Sequence, residues 1–242
     1  MNKKLNGHPP NGNGATPTGA SLARSALATH GADEQEAAGL RTDEAEPPPE
    51  KIGELAEACV QYVERALGVR LDYSAETLPL LDHYLAEAQK TLVAQSEEDA
   101  KAARTTLPLL VQTAGAYFGE VIRRRYPSWW RAEGDDPMTF RVELETAYLA
   151  VSPMLFVYEG LARALAMHGD EAAFEAAQIE MDEEDQRAAA ARLADLEVSD
   201  EEYYSPSTRL EAIDVCVDTI RQRRLAEGDP VEMALTPEDY ET

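Results

Sequence analysis

The segment that most constrains the fold lies in the second half of the chain and is apolar on nearly every side of a helix. Its apolar residues surround the helix axis instead of forming one stripe: Met154, Leu155, Phe156, Val157, Tyr158, Leu161, Leu165 and Met167. Pro153 precedes the segment and Gly169 follows it, as is common at helix starts and ends. A helix without a polar face has to be covered on all sides. We therefore expect this segment at the centre of a helical domain.

Amphipathic helices are predicted on both sides of this central segment. From Ile52 to Leu67 apolar residues recur at three- and four-residue spacing, and Gly68 supplies the expected stop. The pattern places Cys59 on the buried stripe of this helix. Three further helical patterns begin at the following places: near Ser74 or Thr77, at Ser96, and at about Pro206.

Three features qualify this helical prediction. Pro108 lies inside the third helical pattern, and because proline lacks an amide hydrogen we expect a kink or a break there. Residues 170–196 are rich in Ala and Glu with few apolar positions, which predicts a helix on the outside of the domain. Residues 197–205 are acidic and carry two adjacent tyrosines, and we expect a loop there.

A small β element is predicted between residues 126 and 151. Turn-forming residues occur at Pro127, at Gly134 and at 135–137. Residues 129–131 and 139–144 on either side are rich in strand formers, and the second run alternates between polar and apolar residues. Together these features predict a hairpin. The expected fold is mainly α, with a minor β hairpin that makes it formally α+β.

The two ends of the chain differ in composition from this domain. Residues 1–50 are rich in Gly, Asn, Pro, Ala, Ser and Thr, contain no aromatic residue and become acidic toward their end. Such a segment buries too little apolar surface to offset the entropy of ordering, so we expect a disordered arm. The helical domain is expected over 51–227, and 228–242 reads as a short acidic tail.

The formal net charge of −24, from 46 acidic and 22 basic residues, restricts the possible partners. Nucleic-acid binding depends on neutralising phosphates with Lys and Arg, so neither nucleic acid nor an anionic membrane is an expected partner. A protein with a basic surface is the favoured one. No apolar run follows the first residues as in a signal peptide, and no window is long and apolar enough to span a bilayer. The prediction is a cytoplasmic protein.

Motifs of catalysis and metal binding do not occur in the sequence, so no catalytic residue, metal or cofactor is assigned. Glu-x-x-His pairs, an EF-hand spacing, a nucleophile elbow and a phosphate-binding glycine loop are all missing. Cys59 and Cys216 both fall on apolar helical stripes and are predicted to be buried, structural residues. His83 is expected on the surface.

Charged and aromatic residues within apolar stretches are the remaining candidates for a site. Charges are rarely buried alone, so Glu120 with Arg124 and Glu159 with Arg163, each four residues apart, are predicted to pair. Glu159 has apolar neighbours on most sides, so of the two carboxylates it is the one predicted to be buried. Trp129 and Trp130 are expected to place one ring in the core and the other over a helix end.

Two blocks of the sequence resemble a family of uncharacterised bacterial proteins. The first is Gly-Ala-Tyr-Phe-Gly-Glu-Val-Ile-Arg-Arg at 115–124, followed closely by tryptophan; the second is its lead-in, Leu-Asp-Tyr-Ser at 71–74. The proline-started apolar helix at 153–167 fits the same pattern. The resemblance covers roughly residues 65 to 168 and implies a shared fold with a long helix and small strands. It implies no activity and no catalytic residue.

The leading functional hypothesis is a non-enzymatic adaptor, regulator or immunity-type protein that binds a basic protein partner. Its contact surfaces would be the acidic segments 180–185 and 197–204, and its candidate residues there are Asp182, Glu183, Glu184, Tyr203 and Tyr204. The alternative is an enzyme or small-ligand-binding protein with a pocket near Glu159, Tyr117 and Trp129. A third reading is a structural subunit of a larger assembly.

Overall fold

The structure is a computed structural model that describes residues 47–98, 100–165, 171–194, 198–231 and 233–241. The expected arm at 1–50 lies outside these ranges except for its last four residues, and so do Met167 and Gly169 at the end of the central apolar segment. The helices are α1 (Glu50–Leu67), α2 (Leu78–Glu98), α3 (Ala100–Arg125), α4 (Pro153–Ala164), α5 (Glu171–Ala176), α6 (Glu183–Leu193), α7 (Asp200–Tyr203) and α8 (Pro206–Glu227). The strands are β1 (Ser128–Arg131), β2 (Arg141–Leu144), β3 (Leu149–Val151) and β4 (Glu180–Met181).

Helix α1 forms where the apolar spacing predicts it. Its buried face consists of Ile52, Ala56, Cys59, Val60 and Val63, all at three- or four-residue intervals. Gly68 ends the helix in the left-handed conformation, with φ of 71°, which only glycine adopts without strain. The amide of Gly68 donates to the carbonyl of Glu64 and so satisfies one of the last free carbonyls.

The two helices that follow differ from the prediction at their junction. Helix α2 begins after a short 3₁₀ turn at Ala75–Thr77 and continues through Ser96, which was expected to start the next helix. Helix α3 starts at Ala100 and continues through Pro108 without a break. Ser96 therefore lies inside α2 and does not begin a helix, because the helix-forming residues around it extend α2 past the predicted boundary.

The core is built around α3, which packs against α1, α2 and α4. Two glycines on α3 allow this close approach. A Cβ at Gly115 would lie 2.6 Å from Cα of Met154, and one at Gly119 would lie 2.2 Å from the ring of Trp130. Tyr117 between them is fully buried. The predicted central helix is present as α4, whose Met154, Phe156, Val157 and Leu161 are buried.

The sheet has four antiparallel strands in the order β1-β2-β3-β4. The predicted hairpin is confirmed, with Trp130 opposite Val142 and Arg131 opposite Arg141. Strand β3 pairs with β2, and β4 then pairs with β3 through two residues only, Glu180 and Met181. Both β3 and β4 were missed in the sequence because strands of three and two residues are too short to show alternation.

Two segments after α4 are more divided than expected. Residues 170–196, predicted as one outer helix, contain α5, strand β4 and α6 within their described part. Residues 197–205, predicted as a loop, contain the helical turn α7. This turn is stabilised by a capping box in which the side chains of Ser199 and Glu202 each accept a hydrogen bond from the other residue's amide.

The last helix and the segment after it complete the fold. Helix α8 begins at Pro206 as predicted, buries Leu210, Ile213, Cys216, Val217 and Ile220, and ends at Gly228. Residues 233–241, expected as part of an acidic tail, are bound to the sheet instead. We call them the 233–241 strap. In the described ranges no helix is both long and apolar enough to cross a membrane.

The two blocks that carry the family resemblance contact each other in the fold. Tyr117 of the first block stacks on Tyr73 of the second at 4.9 Å, and its hydroxyl accepts the Tyr73 amide. Arg124 donates to the carbonyl of Asp72 and lies 4.4 Å from the Tyr73 ring. These contacts hold Tyr73 at a positive φ of 66°, which is unusual for a residue with a side chain. The contacts between the two blocks therefore hold the segment that links α1 and α2 against α3.

Candidate functional site

A cavity of about 840 Å³ lies between α4, α5, α6 and α8. Its volume is within the roughly 300–1,000 Å³ that small-molecule sites occupy in proteins. Much of its wall is apolar, and these side chains come from helices, from the loop after α5 and from β4: Phe174, Ile179, Met181, Leu193, Ala212 and Cys216. Three of its charged groups, one of them a buried carboxylate, lie together at one end.

That carboxylate is Glu159 of α4, which is 5% exposed. One of its oxygens, Oε1, lies 2.8 Å from Nη2 of Arg163, so the predicted pair four residues apart is present. The other oxygen, Oε2, accepts a hydrogen bond from Nη2 of Arg209 on α8. Arg209 is itself 5% exposed, so the ion pair between Glu159 and Arg209 is buried. The hydrogen bond to Glu159 is also the first cause that raises the pKa of Arg163 above its ordinary value.

Aromatic rings surround both guanidinium groups. The guanidinium of Arg209 lies 4.7 Å from the ring centre of Tyr203, 4.8 Å from Phe156 and 5.2 Å from Tyr204. Arg163 lies 4.8 Å from Tyr204. Such cation–π contacts are stronger where water is excluded. The two tyrosines singled out in the sequence therefore serve inside the site, where they hold the arginines in place.

One donor at this site has no acceptor. Nε of Arg209 is buried and has no hydrogen-bond partner in the part of the chain that the structure describes. A buried N–H without a partner costs about 1–3 kcal/mol, and more where the group is charged. Arg209 also lines the cavity. The cavity is thus bordered by a guanidinium whose buried Nε is left unsatisfied by the described protein groups.

A second, smaller cavity of about 300 Å³ lies beside the loop that joins α5 to β4. The two cavities share lining residues, among them Glu175, Gln178, Ile179 and Met181. The two cavities therefore adjoin along the segment 175–181. Arg141 of β2 lines only the smaller cavity, where it lies 3.1 Å from Glu180.

Several side chains that line the large cavity are protonated or already paired. Burial raises the pKa of the Cys216 thiol to about 12, so the thiol is protonated and a poor nucleophile near neutral pH. Among the residues that the structure describes, no histidine lines the cavity. Its charged groups are Glu159, Arg163 and Arg209, already joined to one another, together with the exposed Glu175.

Several of the residues predicted for a site lie elsewhere. Glu120 was predicted to pair with Arg124, but it pairs with Arg123 at 3.0 Å. It also accepts a hydrogen bond from the indole N–H of Trp130 at 2.7 Å. Arg124 instead donates to the carbonyl of Asp72 in the 71–74 block. The reason is geometric, since Trp130 lies against Gly119 and draws the Glu120 carboxylate toward the start of the sheet.

The other two residues of the expected pocket are also separate from it. Tyr117 is fully buried between Tyr73 and Thr77, with its hydroxyl 3.0 Å from Oγ1 of Thr77. Trp129 lies on β1, where its indole donates to Glu143. The large cavity thus lies beside Glu159, and neither Tyr117 nor Trp129 is among the described residues that line it. As expected, one tryptophan, Trp130, is in the core at 8% exposure.

The acidic residues of 180–185 are divided between paired and unpaired positions. Asp185 and Glu184 both bind Arg223 of α8, the latter at 2.8 Å. Asp182 and Glu183 are exposed at the start of α6. The acidic surface at this end of α6 is therefore reduced by two intramolecular ion pairs.

Metal binding has no support in the described ranges, where no three His, Cys, Asp or Glu side chains lie close enough to hold an ion. Known proteins give no further guidance to the site. No family model, no curated protein and no solved structure matches this chain. The cavity and its charged end are therefore interpreted from their own geometry.

Proposed function

We propose that this protein binds a small carboxylic acid with an apolar body in the cavity beside Glu159 and Arg209. The observation that carries the proposal is that Arg209, whose buried Nε has no acceptor among the described residues, lines an 840 Å³ cavity. An ionised carboxylate oxygen is the acceptor that such a donor binds most strongly.

The charges at the polar end support an anionic head group. Arg163 and Arg209 share the single carboxylate of Glu159, which leaves one formal positive charge uncompensated among these three groups. Glu175 also lines the cavity, but it is exposed to solvent. Because screening by water weakens the exposed charges of both Glu175 and Arg163, the buried Arg209 is the cation that would bind the head group.

The remainder of the wall supports an apolar body. Phe174, Ile179 and Leu193 face a ligand that would bury its hydrocarbon surface, at roughly 25 cal/mol per Å² removed from water. A chain or ring of six to ten carbons fits the volume without requiring the helices to move. Binding of this kind also stabilises the fold, by about 2.7 kcal/mol when the free ligand is at a hundred times its Kd.

The test is a thermal-shift and calorimetry screen with matched compounds. Octanoate, decanoate and phenylpropionate are compared with octylamine and octanol, which have a similar body and a different head. We expect the carboxylates to raise Tm and to titrate to one site per chain, and the amine and the alcohol to do neither. A protein whose Tm responds equally to all heads, or to none of the acids, would contradict the proposal.

Two alanines on α6 give a matched pair of variants for this screen. Ala190 lines the cavity and Ala191, its neighbour, does not, while both are exposed. Ala190→Trp should fill the cavity mouth and abolish the carboxylate shift. Ala191→Trp adds the same ring on another side of the helix and should leave it unchanged. Equal shifts in both variants would place the ligand outside this cavity.

A second function, contact with a basic protein partner, is supported by the net charge of −24. Asp182 and Glu183 are two exposed acids of the 180–185 segment that suit such a contact. Replacing both with amides should lower the affinity for a captured basic protein and flatten its dependence on salt. Replacing Glu184, which already binds Arg223, should have the smaller effect.

A further inference from the structure

The 233–241 strap is held on the sheet by one buried side chain. Tyr240 is 3% exposed, and its ring stacks on Tyr148 at 4.7 Å and meets the edge of Trp129 at 5.8 Å. Its hydroxyl accepts the Leu149 amide at 3.0 Å and lies 2.7 Å from the carbonyl oxygen of Leu144, to which it donates its hydrogen. We call this set of contacts the tyrosine slot.

Two arginines of the sheet bind the backbone on either side of that tyrosine. Arg131 donates to the carbonyl of Pro237, and Arg141 donates to the carbonyl of Tyr240 at 3.2 Å. Both arginines also bind Glu143, which is fully buried, with each Nε at 2.6 Å from Oε1. Glu143 thereby fixes the arginines in position, and they do not depend on the strap for their arrangement.

The strap contributes little besides this anchor and its backbone. The amides of Met233 and Leu235 donate to the carbonyls of Thr146 and Glu145 in the turn between β2 and β3. Most of its other side chains are exposed, including Glu238 and Asp239. Binding through a central aromatic anchor and main-chain hydrogen bonds, with exposed residues around it, is typical of a peptide in a recognition site.

We propose that the tyrosine slot is a peptide-binding site for an acidic, tyrosine-bearing segment of a partner protein, and that the strap is its intramolecular occupant. The sequence of the strap, with Pro-Glu-Asp-Tyr-Glu at 237–241, shows the chemistry that the slot accepts. The acids lie beside Arg131, which is 3.8 Å from Glu241. This proposal stands apart from the cavity and does not depend on its ligand.

Because the strap occupies the tyrosine slot, a partner peptide has to displace the strap in order to bind. A segment tethered in the same chain competes at an effective concentration on the order of millimolar. A peptide supplied from outside therefore binds the wild-type chain weakly, whatever its intrinsic affinity for the slot. Weakening the strap should reveal that affinity.

The experiment is fluorescence anisotropy with a labelled peptide of the sequence 229–242 and full-length protein. Tyr240→Ala empties the slot, and we expect it to bind the peptide at least tenfold more tightly than the wild-type chain does. A peptide with Phe in place of the tyrosine should bind roughly tenfold more weakly, because it leaves the Leu149 amide without an acceptor. No binding to the folded variant, or equal binding of both peptides, would overturn the proposal.

A second variant guards against a folding defect in the first. Thr236→Ala removes a capping box with Asp239 that shapes the strap, and it leaves Tyr240 in place. Loss of a cap should raise the peptide affinity about fivefold over the wild-type chain. Light scattering of the wild-type chain completes the test. A dimer that Tyr240→Ala abolishes would assign the slot to a second copy of this chain and overturn the assignment to a partner protein.

Discussion

Arg209 donates Nη2 to the buried carboxylate of Glu159 and leaves Nε of the same guanidinium without a partner in the described chain. The pair therefore joins α4 to α8 while one of its hydrogen bonds stays unformed. A pair made only for stability would be better satisfied, since each unformed buried bond lowers the free energy of unfolding. This relationship underlies the ligand proposal and the first prediction.

The two members of the pair should differ in their cost when removed. Glu159→Gln leaves Arg209 as a buried charge without a counterion, and should lower the free energy of unfolding by about 3–5 kcal/mol. Arg209→Met leaves Glu159 with Arg163, which is partly exposed, and should cost less. The double variant should be more stable than the sum of the two losses implies. Urea denaturation measures all three.

Glu64→Gln is the control for that series, because Glu64 pairs with Arg70 at 3.6 Å on the surface. Exposed pairs contribute about 0–1 kcal/mol, so this variant should unfold close to the wild-type chain. If Arg209→Met costs as much as Glu159→Gln, Arg163 does not share the buried carboxylate in solution.

Gly115→Ala should destabilise the fold strongly. The new methyl group would lie 2.6 Å from Cα of Met154, and backbone cannot move aside as a flexible side chain does. Overpacking of this kind typically costs about 1–3 kcal/mol. Gly53→Ala is the matched control, because its nearest neighbour would be Cγ of Pro48 at 3.7 Å. There the helix gains stability, by about 0.5–1 kcal/mol. Thermal unfolding of both variants should give shifts of opposite sign.

Tyr240→Phe should remove a contribution to the free energy of unfolding that is present at neutral pH and is lost at alkaline pH. Burial, as the largest cause, raises the pKa of the Tyr240 hydroxyl above its ordinary value of about 10. Its contribution is complete below pH 10 and is lost as the pH rises toward the folded-state value, since only the unfolded chain then ionises. The difference in unfolding free energy between wild type and variant should therefore shrink from about pH 10 upward. A difference that stays constant with pH would mean that the slot does not bury this hydroxyl.

Both cysteines should resist alkylation in the native protein. Burial raises the pKa of Cys59 and of Cys216 to about 12, and thiolate is the reactive form. Iodoacetamide at pH 8 should label neither until urea unfolds the chain, and then both. Rapid labelling of Cys216 in the native protein, with Cys59 unlabelled, would show that motion of the cavity wall exposes the Cys216 thiol to solvent.

The helices could be predicted because their ends carry strong local signals. Gly68 and Gly228 both adopt the left-handed conformation at the helix ends that the sequence indicates. Pro206 likewise stands at the first position of α8. The boundary between α2 and α3 could not be predicted in the same way, since no glycine or proline separates them and Ser96 is a weak signal inside a helix-forming stretch.

The site was predictable in part. Glu159 and Arg163 follow from helical spacing, but Arg209 comes from a helix fifty residues later. A signal for it does exist in the sequence, because Arg209, Ile213, Cys216 and Ile220 lie at four-, three- and four-residue spacing. A charge in phase with a buried stripe indicates a buried partner elsewhere. Tyr240 carries no such signal, since its acceptors are backbone carbonyls that only the folded sheet brings together.

The contact between Gly119 and the ring of Trp130 has a consequence for the evolution of this chain. The ring occupies the space in which any side chain at 119 would stand, so the sizes of the two residues are coupled. A lineage that acquires alanine at 119 can keep the fold only by accepting a smaller residue at 130. That replacement would also release Glu120 from its indole donor. Residues at positions 119, 120 and 130 should therefore co-vary among homologues.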